Sequence, residues 1–374
     1  MTLPLTGFRI LSLAEQQPGP LATMLLADLG ADVILVERPA GGDPSRRFEG
    51  HFESLGRNKR SVALDLKSEE GRVAFLRLAD TADVVVEGFR PGVMERLGFG
   101  AEALRARRPG LVYVSISAFG QTGPMVGVAA HDLSIQGVAG LIDVKQGEED
   151  SSAMPKLPLA DIASGNAAAL GVVAALLARA STGRGATVDV SMLDSLVAWM
   201  APFIVPALND MKAAPLPPKD PAYGLFATAD GRQITISIAG EDHIWRELCG
   251  ILDLSELSEL SERARIAAGS NILPRLRAEV ARHDLAWLTQ HFEERKITFG
   301  PVRSAGEVAD DPQVAARGMI QNVVSTDGRH LRYVRQPLLI DGEGGTITAS
   351  APALGQHNDE VMAEVGLVPG PTLP

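Results

Sequence analysis

Short apolar runs separated by longer amphipathic stretches dominate the first half of the chain. Residues 8–13, 31–37, 82–87 and 112–117 are apolar at most positions, the pattern of strands buried on both faces. Between them the spacing predicts a helix over residues 20–29, closed by Gly30 at its C-cap, and another opened by Lys67-Ser68-Glu69-Glu70 and running through Asp80. Residues 163–180 are Ala-rich and predict a third helix, ended by Ser181-Thr182-Gly183-Arg184-Gly185 before a strand over 186–191. Strand alternating with helix implies an α/β, doubly wound parallel sheet with helices on its faces.

The pattern changes at Lys212-Ala213-Ala214-Pro215-Leu216-Pro217-Pro218-Lys219-Asp220-Pro221, whose prolines can continue neither a helix nor a central strand. Beyond it, apolar runs at 225–228 and 233–238 flank Asp230-Gly231, a hairpin turn signal, and amphipathic helices follow to about Glu294. A second Asp-Gly turn, Asp327-Gly328, joins 323–325 to 330–334, and the Gly- and Pro-rich tail holds one helix near 359–365. The expected organisation is a large domain over 1–211, a Pro-rich linker over 212–224, a small α+β domain over 225–315 and a C-terminal segment over 316–374.

A chain of 374 residues exceeds one simple core, in keeping with two domains. The 35 lysines and arginines against 46 aspartates and glutamates leave a formal charge of −11 with no basic block, which argues against nucleic acid or an anionic membrane as partner. A single cysteine, Cys249, excludes an internal disulfide framework and a multi-thiolate metal site, and suits the cytoplasm. In its amphipathic setting it reads as a small core residue. The N-terminus carries no basic and apolar export signal, and the most apolar stretch, 167–178, is too short to span a bilayer. No His, Asp or Glu set has the spacing of a metal site.

No G-x-G-x-x-G follows the first strand; Pro18-Gly19-Pro20 occupies the expected turn and makes a poor pyrophosphate cradle. Cations recur near expected strand ends instead: Arg38, Arg46, Arg47, Lys59, Arg60, Lys67, Arg90 and Arg96. Together they suit a polyanion, although any one of them alone reads as a solvated surface charge. Phe119-Gly120-Gln121-Thr122-Gly123-Pro124 leads to the titratable pair His131-Asp132, and Asp161 precedes the Ala-rich helix. Asp161 suits either a plain N-cap, the more ordinary role, or a carboxylate nucleophile or base at a helix start. An ordinary aspartate, with a pKa of about 3.9, would be ionised at neutral pH without an activating base.

The ordered set of motifs resembles the family III CoA-transferases, the formyl-CoA and carnitine CoA-transferase group, together with their relatives the α-methylacyl-CoA racemases. The resemblance spans nearly the whole chain. It rests on Pro18-Gly19-Pro20 with 25–33, Gly42-Asp43-Pro44, 58–67, Glu87-Gly88-Phe89-Arg90-Pro91-Gly92-Val93, 119–124, and Thr182-Gly183-Arg184-Gly185 with 188–194. It implies a Rossmann-like large domain, a small domain, a C-terminal segment returning to the large one, and an interlocked homodimer. It further implies a CoA thioester as substrate rather than a tightly bound cofactor. The CoA phosphates would lie near Arg38, Arg46, Lys67 and Arg96, with Leu64, Gly88, Phe89, Arg90, Val93 and Met192 along the molecule.

In the transferases the aspartate at the place of Asp161 attacks the thioester, giving a mixed anhydride and then an aspartyl-CoA thioester from which CoA passes to a carboxylic acid. Gln17 stands where formyl-CoA transferases carry a glutamine near the reacting carbonyl, a donor for the oxyanion. In the racemases a histidine at His131 and the aspartate at Asp161 flank the α-carbon, and a glutamate corresponding to Glu241 supports the histidine. Gln17, Gly42-Asp43-Pro44-Ser45-Arg46 and 119–124 lean towards CoA transfer between an acyl-CoA and a carboxylic acid; His131, Asp161, Glu241 and the phrase Glu87-Gly88-Phe89-Arg90 lean towards racemisation. A third reading is a catalytically silent acyl-CoA-binding protein on the same fold.

Overall fold

Six strands line up in parallel in the order β3-β2-β1-β4-β5-β6. They alternate with helices along the chain: β1 (Arg9–Ser12), α1 (Pro18–Asp28), β2 (Asp32–Glu37), α2 (Glu49–Gly56), β3 (Lys59–Ala63), α3 (Glu69–Thr81), β4 (Val84–Glu87), α4 (Val93–Leu97), α5 (Ala101–Arg107), β5 (Val112–Ser117), α6 (Asp132–Val138), α7 (Leu159–Thr182), β6 (Thr187–Ser191), α8 (Met192–Trp199) and α9 (Ala201–Leu208). The structure, a computed structural model, describes residues 3–142, 156–213 and 218–367. It divides into two compact units, Met1–Val205 with Ala316–Pro374, and Pro206–Ala315.

Alternate residues of one strand enter different cores, which is why the runs are apolar at almost every position. Ile10, Val84 and Val86 pack with α1 and α7 side chains on one face, while Leu11 and Val85 pack with Phe75, Leu78 and Phe99 on the other. The strand order is that of a doubly wound nucleotide-binding sheet, with its switch point between β1 and β4.

Three local expectations change. Pro18-Gly19-Pro20 is the first turn of α1, not the loop before it; a proline at the first helical position costs nothing because its N–H would be unbonded anyway. Gly19 is required there, since a Cβ would sit 2.1 Å from the Cβ of Ala14. Asp161 is the third residue of α7 and not its N-cap, which is Pro158. Helix α7 is also longer than the apolar stretch suggested: its 24 residues are long and apolar enough by length and composition to cross a membrane. Half of that apolar window is buried inside the unit, against α1 and the sheet. Leu170 and Leu177, on its other side, are 70% and 74% exposed.

Strand β3 went unread because Asn58-Lys59-Arg60-Ser61 is polar. Its charges are held by structure. Lys59 is buried, donating to the Pro20 carbonyl and to Thr23 Oγ1, both at 2.9 Å, and burial pushes its amine down to about 7. Arg60 pairs with Asp32, Glu360 and Glu364. Both residues open β3, opposite Val33 and Ile34. In a parallel strand that is the N-terminal edge, so they do not join the cations at the strand ends. The outer edge of β3 is covered by the returning tail: Ser61 N donates to His357 Nδ1 at 3.1 Å and Ala63 N to Asn358 Oδ1 at 2.8 Å. The buried Asp28 carboxylate ties the same layers together, accepting from Arg57, Asn58 and the Gln336 backbone N–H.

The small unit carries an antiparallel sheet of β7 (Tyr223–Ala227), β8 (Gln233–Ser237) and β9 (Phe299–Pro301), with β7 and β8 joined across the Asp230-Gly231 turn. Its helices cover a core around Trp245, Leu248 and Phe292 that includes Cys249, whose thiol burial pushes up to about 12. The unit starts at Pro206, earlier than the expected boundary, and the expected linker ends inside it. Asp220 is buried in a pair with Arg265 at 2.8 Å, and Ala222 is fully buried. Residues 214–217 of that linker lie outside the described residues. In the tail, a hairpin of Ile320–Val324 and His330–Val334 flanks Asp327-Gly328.

Candidate active site

A cavity of about 740 Å³ opens at the switch point. The segments following β1 (Ala14 to Gly19), β4 (Gly88 to Pro91) and β5 (Ala118, Phe119) form its floor, and Arg47, Phe48 and His51 at the start of α2 form one wall. Ligands of open α/β sheets bind in this crevice, because diverging loops leave space beyond the strand C-termini.

His131, Asp132 and Asp161 share the cavity although α6 and α7 are apart in sequence. Asp132 joins them. Its Oδ1 accepts from the backbone N–H groups of Ala160 (2.8 Å) and Asp161 (3.2 Å), so it caps α7 from another helix in place of Pro158, which has no side-chain bond to offer. Gln136 Nε2 donates to its other oxygen at 2.5 Å. The Asp161 carboxyl itself has neither a hydrogen bond nor a cation partner among the described residues. Burial pushes it up to about 7, and the Asp132 carboxylate adds to the push. That differs from the ordinary aspartate assumed from sequence: near neutral pH the group is poised between its two forms. Gln17 lines the same cavity at the N-cap of α1.

The expected cofactor residues divide. Gly88, Phe89, Arg90 and Met192 line the cavity. Arg38 follows β2, and its Nε donates to the Gly42 carbonyl at 2.9 Å. Lys67 is exposed after β3, Arg96 is exposed in α4, Val93 opens α4, and Leu64 packs on the second core. Arg46 does not belong with them. Its guanidinium grips Glu37 bidentately at 2.7 and 2.6 Å, donates to the Pro352 carbonyl at 3.0 Å and stacks on Phe52, which leaves it closed rather than open to a phosphate. Glu241 lies in the small unit, where its Oε2 accepts from the Ala239 backbone N–H at 2.7 Å.

Three acid or base groups at or beside the cavity have no individual role in the sequence reading, which names Arg47 only among the cations, Glu87 only within a motif, and Glu15 not at all. Arg47 has no acidic partner among the described residues and lies over the Phe48 ring. Glu15 carries a carboxyl raised by burial, although Arg38 opposes the shift. Glu87, buried at the end of β4, accepts from Phe89 N at 2.9 Å and so fixes the Gly88-Phe89 turn; burial pushes its carboxyl up to about 7. Position at a strand end for Glu87, and just beyond one for Glu15, was the available signal.

Known proteins resemble this chain along nearly its whole length. The family model described as CoA-transferase family III matches residues 5–358. The succinate–glutarate CoA-transferase of Agrobacterium fabrum is 32% identical over 97% of this chain and 96% of its own. The succinyl-CoA:mesaconate CoA-transferase of Haloarcula marismortui is 32% identical over 98% of this chain and 97% of its own. A crystal structure of a CAIB/BAIF family protein from Brucella suis superposes with a TM-score of 0.89 at 28% identity, covering 98% of this chain and all of that one. With the switch-point cavity and the Asp132-capped Asp161 in place, the chain belongs to the family III CoA-transferases.

Proposed function

We propose that Asp161 is the covalent nucleophile of CoA transfer between an acyl-CoA and a carboxylic acid. The observation that carries this is a half-buried carboxyl facing the cavity, bound to no cation or donor among the described residues, and so free to attack. A carboxylate oxygen of Asp161 adds to the thioester carbonyl, and Gln17 donates to the developing oxyanion. CoA thiolate leaves, giving a mixed anhydride. The thiolate then attacks the Asp161 carbonyl carbon, releasing the donor acid and leaving an aspartyl-CoA thioester. The acceptor carboxylate repeats the two steps in reverse order, which regenerates Asp161 and yields the new acyl-CoA.

CoA is assigned to the strand ends, with phosphates on Arg38, Lys67 and Arg96 and the remainder along Leu64, Gly88, Phe89, Arg90, Val93 and Met192. Arg46, closed by Glu37, is left out. Arg47 supports a dicarboxylic acceptor, because an unpaired guanidinium in the cavity suits a second carboxylate; the relatives named for succinate, glutarate and mesaconate point the same way. The exposed Leu170 and Leu177 of α7 support pairing with a second copy of the chain.

The test incubates the protein with succinyl-CoA and glutarate and follows glutaryl-CoA by mass spectrometry. Asp161→Ala should abolish transfer while retaining CoA binding, and hydroxylamine should trap wild-type Asp161 as its hydroxamate. Transfer by Asp161→Ala would refute the nucleophile. One observation favours racemisation as a second reading: His131 shares the cavity with a carboxyl poised near 7, suited to moving a proton. Incubating a 2-methylacyl-CoA in deuterated water without acceptor decides it, since α-deuterium would appear only if the racemase reading holds.

A further inference from the structure

Gln16 stands in the left-handed region, with φ of 68°. For a residue with a Cβ that conformation costs about 1–2 kcal/mol and persists only where the surroundings impose it. Here both ends of the residue are held. The Gln16 N–H donates to both carboxylate oxygens of Asp43, at 3.2 and 3.1 Å, and its carbonyl lies 3.1 Å from His51 Nε2, which must therefore be the donor. Asp43 is itself fixed: it is 6% exposed, its Oδ1 accepts from Ser45 N at 2.7 Å, and its own N–H donates to Glu37 Oε2 at 2.9 Å. Glu37 ends β2 and is held in turn by Arg46 and Ser61. One step beyond Gln16, Gln17 enters α1 through its carbonyl, which accepts from Leu21 N at 2.8 Å.

We propose that Asp43 and His51 are positioning residues, which hold the Gln16 peptide in its left-handed turn and thereby aim the Gln17 carboxamide at the reacting carbonyl. This rests on the reading of Gln17 as oxyanion donor. Released from its clamp, Gln16 relaxes towards the right-handed or extended regions and swings the next side chain. A displacement of about 1 Å at a reacting centre costs up to about 100-fold in rate. The two clamping groups come from either end of the segment that also presents Arg47 and Phe48, so the cavity wall and the oxyanion donor are set by one piece of chain.

His51 carries the test because it lines the cavity, whereas the buried Asp43 is exposed to folding defects on substitution. Transfer from succinyl-CoA to glutarate is measured in wild type, His51→Ala, His51→Gln, Gln17→Ala and the double variant His51→Ala/Gln17→Ala. Gln17→Ala should lower kcat about 100-fold. His51→Ala should lower kcat about 5–30-fold with KM for succinyl-CoA changed less than about twofold, and His51→Gln, which keeps an N–H donor, should recover most of the loss. In the Gln17→Ala background, His51→Ala should have no further effect, since the clamp acts only through the side chain already removed. An equal loss from His51→Ala in both backgrounds, or no loss beside an impaired Gln17→Ala, overturns the clamp and leaves the Gln17 reading standing. An unimpaired Gln17→Ala overturns that reading, and the clamp with it.

Discussion

Asp132→Asn separates the charge beside Asp161 from the cap that Asp132 places on α7. The substitution keeps an Oδ1 that can accept from Ala160 and Asp161 N–H, so the cap on α7 survives. Gln136, whose Oε1 has no partner, can turn its amide to accept from the new NH₂ group, at the loss of the bond its Nε2 donates to the Leu157 carbonyl. What disappears is one negative charge. The Asp161 carboxyl lies at about 7 against an ordinary 3.8, a rise of roughly 3 pH units in which burial outweighs Asp132. The charge therefore accounts for less than half, so removing it should lower the Asp161 pKa by up to about 1.5 units. In the proposed mechanism only the ionised carboxylate attacks, so kcat/KM for succinyl-CoA should rise with pH through about 7 in the wild type and through roughly 6 in the variant. Initial rates at limiting succinyl-CoA across the range from acid to alkaline decide it. An unmoved acid limb in an otherwise active variant, or one displaced upwards, would refute the coupling.

Asp161→Asn should stabilise the protein while abolishing transfer, because folding raises this carboxyl's pKa and so disfavours its charged form. The penalty is absent below about pH 4, grows as pH rises to about 7 and is complete above it; thermal melts should show a gain of a few degrees at pH 8 that vanishes near pH 4. Equal gains at both pH values would assign the effect to something other than charge burial. Arg47→Ala should raise KM for glutarate about 10-fold or more while leaving KM for a monocarboxylic acceptor within about twofold, corresponding to loss of a charge-assisted contact; a uniform change across acceptors would remove Arg47 from acid recognition. Gly19→Ala should destabilise the large unit by roughly 1–3 kcal/mol in urea unfolding, since its Cβ would collide with that of Ala14. Wild-type stability in that variant would mean α1 shifts without cost.

The parts of the fold that could be read from sequence were those whose pattern is local. Strands buried on both faces announce themselves as unbroken apolar runs, and Gly30 closes α1 in the expected left-handed turn, with φ of 101°. Strand β3 escaped because its first residues are charged for reasons elsewhere: Lys59 fits under α1 and Arg60 answers acids of the terminal helix. The candidate pair and Asp161 could be singled out, but not the relation between them, because Asp132 caps a helix that begins 27 residues later. Arg46 shows the converse failure. Its spacing after β2 suited a phosphate, while the partner that closes it, Glu37, is a residue the strand pattern treats as mere boundary.

The seam where the tail covers β3 bears on the order in which the molecule can be made. Strand β3 leaves the ribosome early, yet His357 and Asn358, which bond its outer edge, follow only after the whole small unit has been synthesised. At about 5–20 residues per second the roughly 295 residues that separate the bonded pairs take about 15–60 s. For that interval the nascent sheet presents unpaired edge groups, while the inserted unit has its entire sequence available to fold. Completion of the six-stranded sheet thus waits on residues made long after its own strands, and a chain interrupted before His357 would carry Asp161 on a sheet with an open side.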